Sequence, residues 1–277
     1  MTAVRTVNSA EREQVAAAVS KLWAFGQALS VHLLFAENHA AFEEFWSQAG
    51  YEYARTGAFN EVIANRLSIE LNRHLINVLA TFRLFVDHWQ TRLKRLSRKG
   101  GNPRFLDAFE RQLDRQRQRR FDFIFFWEFR NYVQHVGLPP YRIDFSSALT
   151  AGKSRGVVYR AEVTLARDEL LASYDWKNAK SLLRRQPEQI GIFEQLRRLV
   201  DSVSQLLNVA VDASLDVVGP AYQRLDALRR EVADKIPTGI PAVADVTALQ
   251  DSGGRVQLLW IPLYNMALVR SFMETAK

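Results

Sequence analysis

Apolar residues recur at helical spacing along most of the chain. After Ser9 the stretch AEREQVAAAVSKLWAFGQAL sets Val15, Val19, Leu22 and Trp23 at that spacing, which predicts a helix capped by Ser9. Asn38 predicts the cap of a second helix with Phe42, Phe45, Trp46 and Tyr53 on its apolar side, interrupted by Gly57. From Asn60 to Lys99 there is neither Gly nor Pro, and the run predicts one long helix. Gly100-Gly101-Asn102-Pro103 supplies a C-cap followed by a first-turn proline, after which a second long helix is predicted to about Gln134. So short a connection predicts an antiparallel helical hairpin. Gly137-Leu138-Pro139-Pro140 ends it, since proline inside a helix costs about 3 kcal/mol.

The period then changes. Residues 142–149 and 157–165 alternate apolar and polar positions around Gly152-Lys153-Ser154-Arg155-Gly156, predicting a β-hairpin. Helical spacing returns at 176–185, from Pro187 to about Val218, and from Gly219-Pro220 to near Lys235. A second hairpin is predicted at 243–250 and 255–261 around Asp251-Ser252-Gly253-Gly254, with a final helix from Pro262. The fold class expected is mainly α: a helical bundle with a long antiparallel hairpin, plus a small antiparallel β element of two hairpins in the C-terminal half. The expected division is a bundle over 1–140 and a helical elaboration over 141–277. Trp23, Trp46, Trp89, Trp127, Phe82 and Phe85 are assigned to core packing.

Composition narrows the chemistry. The 277 residues are 48% hydrophobic and 24% charged, as expected of a soluble globular protein with a sizeable core. With no cysteine there is no disulfide, thiol nucleophile, cysteine zinc site or iron-sulfur cluster. The polar N-terminus and the lack of about 18 uninterrupted apolar residues predict a cytoplasmic chain without membrane attachment. The net charge of +7 is concentrated: residues 92–120 carry eleven basic residues against three acids, or +8, leaving −1 elsewhere. A partner drawn by charge, RNA among them, should meet this segment first; the alternative is a solvated helix tip.

Several machineries fail on spacing. Lys153 follows Gly152, but the earlier glycine of a phosphate-binding loop is Ser147 here. No GxGxxG, GxSxG, HExxH or EF-hand pattern is present. Glu70 and His74 share a helix face, yet the Glu-x-x-His pair of di-iron bundles and its repeat are missing. No metal and no cofactor are expected.

The informative segment is residues 121–140, FDFIFFWEFRNYVQHVGLPP, where aromatics surround Arg130, Asn131 and His135 near a helix C-terminus. Arg, then Asn, then His after four intervening residues resembles the signature of the HEPN superfamily, over roughly residues 9–140. The resemblance implies an α-helical bundle, usually dimeric, in which paired motifs form a metal-independent ribonuclease site. It further implies service as a toxin or phage-defence effector with an antitoxin or defence partner, or else a non-catalytic nucleic-acid-binding or protein-binding scaffold.

The chemistry of strand scission assigns roles to these residues. Imidazole exchanges a proton near neutral pH, so His135 is the candidate to deprotonate an RNA 2′-hydroxyl. Arg130 suits stabilisation of charge on the phosphate oxygens, and Asn131 suits orientation of either group. Arg115, Arg117, Arg119 and Arg120 are candidate RNA contacts, on a ridge about 15 Å along a straight helix from Arg130. Tyr132 would stack on a base or fill core space. At about 100° per residue, Glu128, Asn131 and His135 share one stripe, whereas Arg130 projects about 140° from His135. Either the helix loosens before Gly137 or a second copy completes the site. A homodimer is expected on that ground and because the aromatic surface of 121–129 exceeds what one hairpin can bury. The bland alternative pairs Arg130 with an acid such as Glu70 and leaves His135 as a helix C-terminal cap.

Overall fold

The computed structural model describes residues 6–100, 103–139, 141–149, 157–235, 241–245 and 257–275. In chain order these form α1 (Ser9–Thr56), α2 (Glu61–Gly100), α3 (Arg104–Arg119), α4 (Phe121–His135), β1 (Tyr141–Leu149) and β2 (Val157–Ala166). There follow α5 (Arg167–Ser173), a 3-10 turn (Lys177–Ala179), α6 (Lys180–Leu183), β3 (Gln189–Gly191), α7 (Ile192–Lys235), β4 (Ala242–Asp245), β5 (Gln257–Trp260) and α8 (Leu263–Thr275). The architecture is mainly α with small antiparallel sheets. No helix among the described residues is long and apolar enough to cross a membrane.

Several boundaries differ from the sequence reading. The two helices expected before Gly57 are one, because residues 30–37 hold neither Gly nor Pro and Asn38 returns its amide to the Leu34 carbonyl at 2.8 Å instead of capping. The true N-cap is Asn8, whose Oδ1 accepts from the Glu11 N–H at 2.8 Å. Gly57 ends α1 as expected, adopting φ +63 and donating to the Tyr53 carbonyl. Pro187 opens no helix, since β3 intervenes, and α7 runs through Gly219-Pro220. There the apolar stripe of Val218, Ala221 and Leu225 stays buried, and tertiary burial outweighs the proline penalty. The helix expected to continue to Gln134 breaks at Arg120.

The chain forms two compact units, each drawing on both sides of residue 140: Met1–Ser30, Arg92–Phe105 and Ala210–Lys277 in one, Val31–Thr91 and Leu106–Val209 in the other. In the first, Val15, Val19, Leu22, Phe25, Leu93, Val211, Leu225, Met266 and Val269 are buried. Gly26 permits close approach of α1 and α8, since a Cβ there would lie 2.4 Å from Asn265 Oδ1. Trp23, assigned to the core from its spacing, is instead 53% exposed, as it falls one residue off the buried stripe of Val19, Leu22 and Phe25. β4 and β5 pair antiparallel, Ala242 opposite Trp260, within the second predicted hairpin; its turn lies outside the described residues.

In the second unit α2 packs antiparallel on α3 and α4, as Gln90 bonds Glu110 at 2.6 Å and the Phe82 ring meets Phe123 at 5.0 Å. β1 and β2 form the first predicted hairpin, Tyr141 opposite Leu165, and the unforeseen β3 adds to β2 to give the order β1-β2-β3. The turn at 152–156 lies outside the described residues. Trp46 ties α1 to this sheet, donating from Nε1 to the Ala161 carbonyl at 3.0 Å.

Three histidines of this unit should make its stability depend on pH. Burial holds His32, His39 and His74 below the ordinary histidine value of 6.5. For His39, Glu43 opposes that effect and Arg197 adds to it; for His74, Arg73 adds and Glu70 opposes. The unfolded chain binds these protons more tightly, so stability is present above about pH 6.5 and is lost as pH falls through and below that value. Thermal midpoints should decline on acidification below about pH 6.5. The triple variant His32→Gln, His39→Gln, His74→Gln should show a flatter profile over the same range.

Candidate functional site

The break between α3 and α4 follows from a change of face. α3 is a surface helix that buries Phe109, Leu113 and Gln116, whereas α4 buries nine of its fifteen residues, seven of them aromatic or aliphatic. A straight continuation would keep one orientation for two helices with different burial. Arg120 adopts extended backbone at φ −107, ψ 110, and its guanidinium bridges Asp122 Oδ1 at 3.0 Å and the Arg198 carbonyl at 3.1 Å. Ser202 Oγ donates to the other Asp122 oxygen at 2.7 Å. The buried Asp122 carboxylate thereby sits in the first turn of α4, where the helix dipole favours negative charge. The ridge-to-motif spacing expected along one straight helix does not hold across this break.

α4 is held by aromatic contacts. Phe125, Phe129 and Tyr132 stack on Trp176 at 5.4, 6.2 and 5.6 Å, and Trp176 donates to the Leu170 carbonyl at 2.6 Å. The phenylalanines of 121–129 are buried within the chain and the half-buried Trp127 is covered by Arg83 and Arg117, so the run provides no aromatic surface for a dimer, contrary to the expectation from sequence. α5 and the 3-10 turn, which bring Leu170 and Trp176 to it, supply the missing cover. Tyr132 is 3% exposed and belongs to this stack; its ring has no open face for a base.

The motif side chains stand outside the stack. Arg130 is half-buried and donates to Gln134 Oε1 at 3.1 Å, while Glu70 pairs with Arg73, so the two do not meet as an ion pair. His135 is exposed and is the last helical residue. α4 stays helical up to it: Val136 and Gly137 both donate to the Tyr132 carbonyl, and the change of direction comes at Gly137, φ +142. No loosening turns His135 toward Arg130, which leaves them about 140° apart on the helix.

Asn131 has a partner to which sequence reasoning gave no role. Its Nδ2 donates to Glu128 Oε2 at 3.2 Å, and Glu128 is a buried carboxylate, 5% exposed. The spacing of three on one stripe was the available signal. This bond commits the amide nitrogen of Asn131 to Glu128, and its carbonyl oxygen has no hydrogen-bond partner among the described residues.

The basic residues divide into two groups. Arg120 is engaged at the helix break, and Arg117 lies over Trp127 at 4.3 Å with Arg83 over the same indole at 3.6 Å. Burial, then the neighbouring Arg83, pushes the Arg117 guanidinium below its ordinary value. Arg92 is similarly turned inward: it donates to the Ala24 carbonyl at 2.8 Å, and burial lowers its pKa to about 10. By contrast Arg111, Arg115 and Arg119 are exposed at intervals of four along α3. They form one outward stripe rising about 6 Å per step. Arg111 was not among the expected RNA contacts, though its spacing to Arg115 was visible.

Comparisons with protein-family profiles, with curated proteins and with solved structures find no match to this chain.

Proposed function

We propose that the chain is a metal-independent RNA endonuclease of HEPN type, acting as a toxin or phage-defence effector, whose site is completed across a homodimer. The observation that carries this is the placement of Arg130, Asn131 and His135 outside the core on a helix whose other faces are fixed by aromatic packing. A rigid element presenting reactive groups outside its packed face is the arrangement an active site needs. In this reading His135 of one copy removes the proton of the 2′-hydroxyl, and the oxygen attacks the adjacent phosphorus. Arg130 of the other copy stabilises the charge that accumulates on the phosphate oxygens, and the 5′-oxygen leaves with a proton taken from solvent, while His135 returns its own to solvent. Asn131, held by Glu128, offers its carbonyl oxygen as an orienting acceptor. Cleavage of single-stranded RNA in excess chelator is the direct test.

The arginine stripe on α3 supports RNA as the partner. Each phosphate contact releases counterions, so affinity for single-stranded RNA should fall steeply with salt. Reversing Arg111, Arg115 and Arg119 to Glu should reduce the log-log salt slope by about 2, at roughly 0.7 per phosphate contact on a single strand. Unchanged affinity and slope would reduce these residues to solvation of a helix face.

A second reading is favoured by the divergence of Arg130 and His135 within one copy: a non-catalytic HEPN-like scaffold that binds nucleic acid or a partner protein through the same surface. RNA binding without cleavage by the folded chain separates it from the first.

A further inference from the structure

The second unit contains a cavity of about 700 Å³ formed by the last turns of α1, the first turns of α2 and β1. Its size is that of a small-molecule site, which typically spans roughly 300–1,000 Å³. The walls are mainly apolar and include Phe45, Tyr53, Phe59, Ile63, Leu67 and Phe145. The rings brace one another: Tyr53 stacks on Phe145 at 4.5 Å, Phe59 meets Phe145 edge-on at 5.2 Å, and Trp46 backs Phe145 at 5.8 Å. Phe59 nevertheless remains 43% exposed, so a large aromatic surface faces solvent at a preformed concavity.

The charges on the lining select the ligand. Glu52 is neutralised by Arg55 at 2.7 Å, and Glu70 by Arg73 at 2.7 Å. Arg66 lines the same cavity and has no hydrogen-bond or ion-pair partner among the described residues. A cation would have to compete with two arginines already in place, whereas an anion meets a free guanidinium beside aromatic walls. We propose that this cavity binds a small amphipathic carboxylate. Arg66 pairs with the headgroup through its forked donors, and an aryl or alkyl body lies against Phe59, Phe145 and Tyr53. The proposal involves neither Arg130 nor His135 and does not depend on ribonuclease activity.

Calorimetric titration of the full chain with phenylbutyrate and octanoate, each beside its uncharged alcohol, tests it. One or both acids should bind saturably at a single site, at least about tenfold more tightly than the matching alcohol, and their order distinguishes an aryl from an alkyl body. Arg66→Gln should remove that preference without altering alcohol binding, and Phe59→Ser should weaken acid and alcohol together. Arg66 is exposed, so its replacement leaves folding intact, which the thermal midpoint checks. Absence of binding by both acids, an acid no tighter than its alcohol, or full acid affinity in Arg66→Gln would each overturn the proposal.

Discussion

Purified chain incubated with single-stranded RNA in excess chelator is expected to leave products ending in a 2′,3′-cyclic phosphate and a 5′-hydroxyl, while DNA of the same sequence survives. The expectation rests on the nucleophile: the attacking oxygen belongs to the RNA, and DNA lacks it. His135→Ala should abolish cleavage by removing the proton acceptor. Arg130→Ala should lower kcat by about 10²–10³, the cost of one oxyanion donor in a preorganised site. Neither change should disturb the fold, because His135 is exposed and, among the described residues, Arg130 bonds only its helix neighbour Gln134. Thermal midpoints of both variants should match the parent, as substitutions away from the core usually shift stability by less than about 0.5 kcal/mol. A folded parent that binds RNA and cleaves none selects the scaffold reading. Full activity in His135→Ala would show that the proton acceptor lies elsewhere.

Trp176→Ala should have the opposite signature, a large loss of stability. Its indole is 0% exposed, receives Phe125, Phe129 and Tyr132 on its faces, and donates to the Leu170 carbonyl. Truncating a buried aromatic to alanine costs about 3–5 kcal/mol, and here it also removes a buried hydrogen bond to the Leu170 carbonyl, which keeps Ser173 Oγ as a donor. At about 2–4 °C per kcal/mol for a unit of this size, the midpoint should fall by roughly 6–20 °C. Trp176→Phe, which keeps a ring but loses the hydrogen bond, should fall by less. Activity should decline with the folded fraction, whereas His135→Ala should lose activity at full stability. Equal midpoints for Trp176→Ala and the parent would mean that α4 is held by other contacts.

The sequence conveyed element type better than element ends. The α2 to α3 hairpin, both β-hairpins and Gly57 as a terminator were legible because periodicity and glycine placement act locally. The break at Arg120 was not, because it depends on the Arg198 carbonyl and Ser202, some eighty residues away in sequence. The persistence of α7 through Pro220 is likewise decided by burial, which a local propensity does not register. At the site, the motif and its angular divergence could be read from residue spacing alone. The inward turn of Arg117, the burial of Tyr132 and the cover supplied by Trp176 could not, since each depends on a ring or carbonyl brought in by tertiary packing. The same holds for the cavity beside Arg66, where Phe145 is contributed by a strand that begins 85 residues after the end of α1.

A composite site makes a demand that a single-chain site does not, and mixing two inactive variants tests it. Arg130→Ala and His135→Ala chains, co-denatured and refolded together at equal concentration, should form heterodimers with one intact pair, Arg130 from one chain and His135 from the other. Random pairing gives half heterodimers with one working site of two, so cleavage should return to about a quarter of the parent value. A mixture that is dimeric by sedimentation and no more active than its components, beside an active parent, would contradict the composite site.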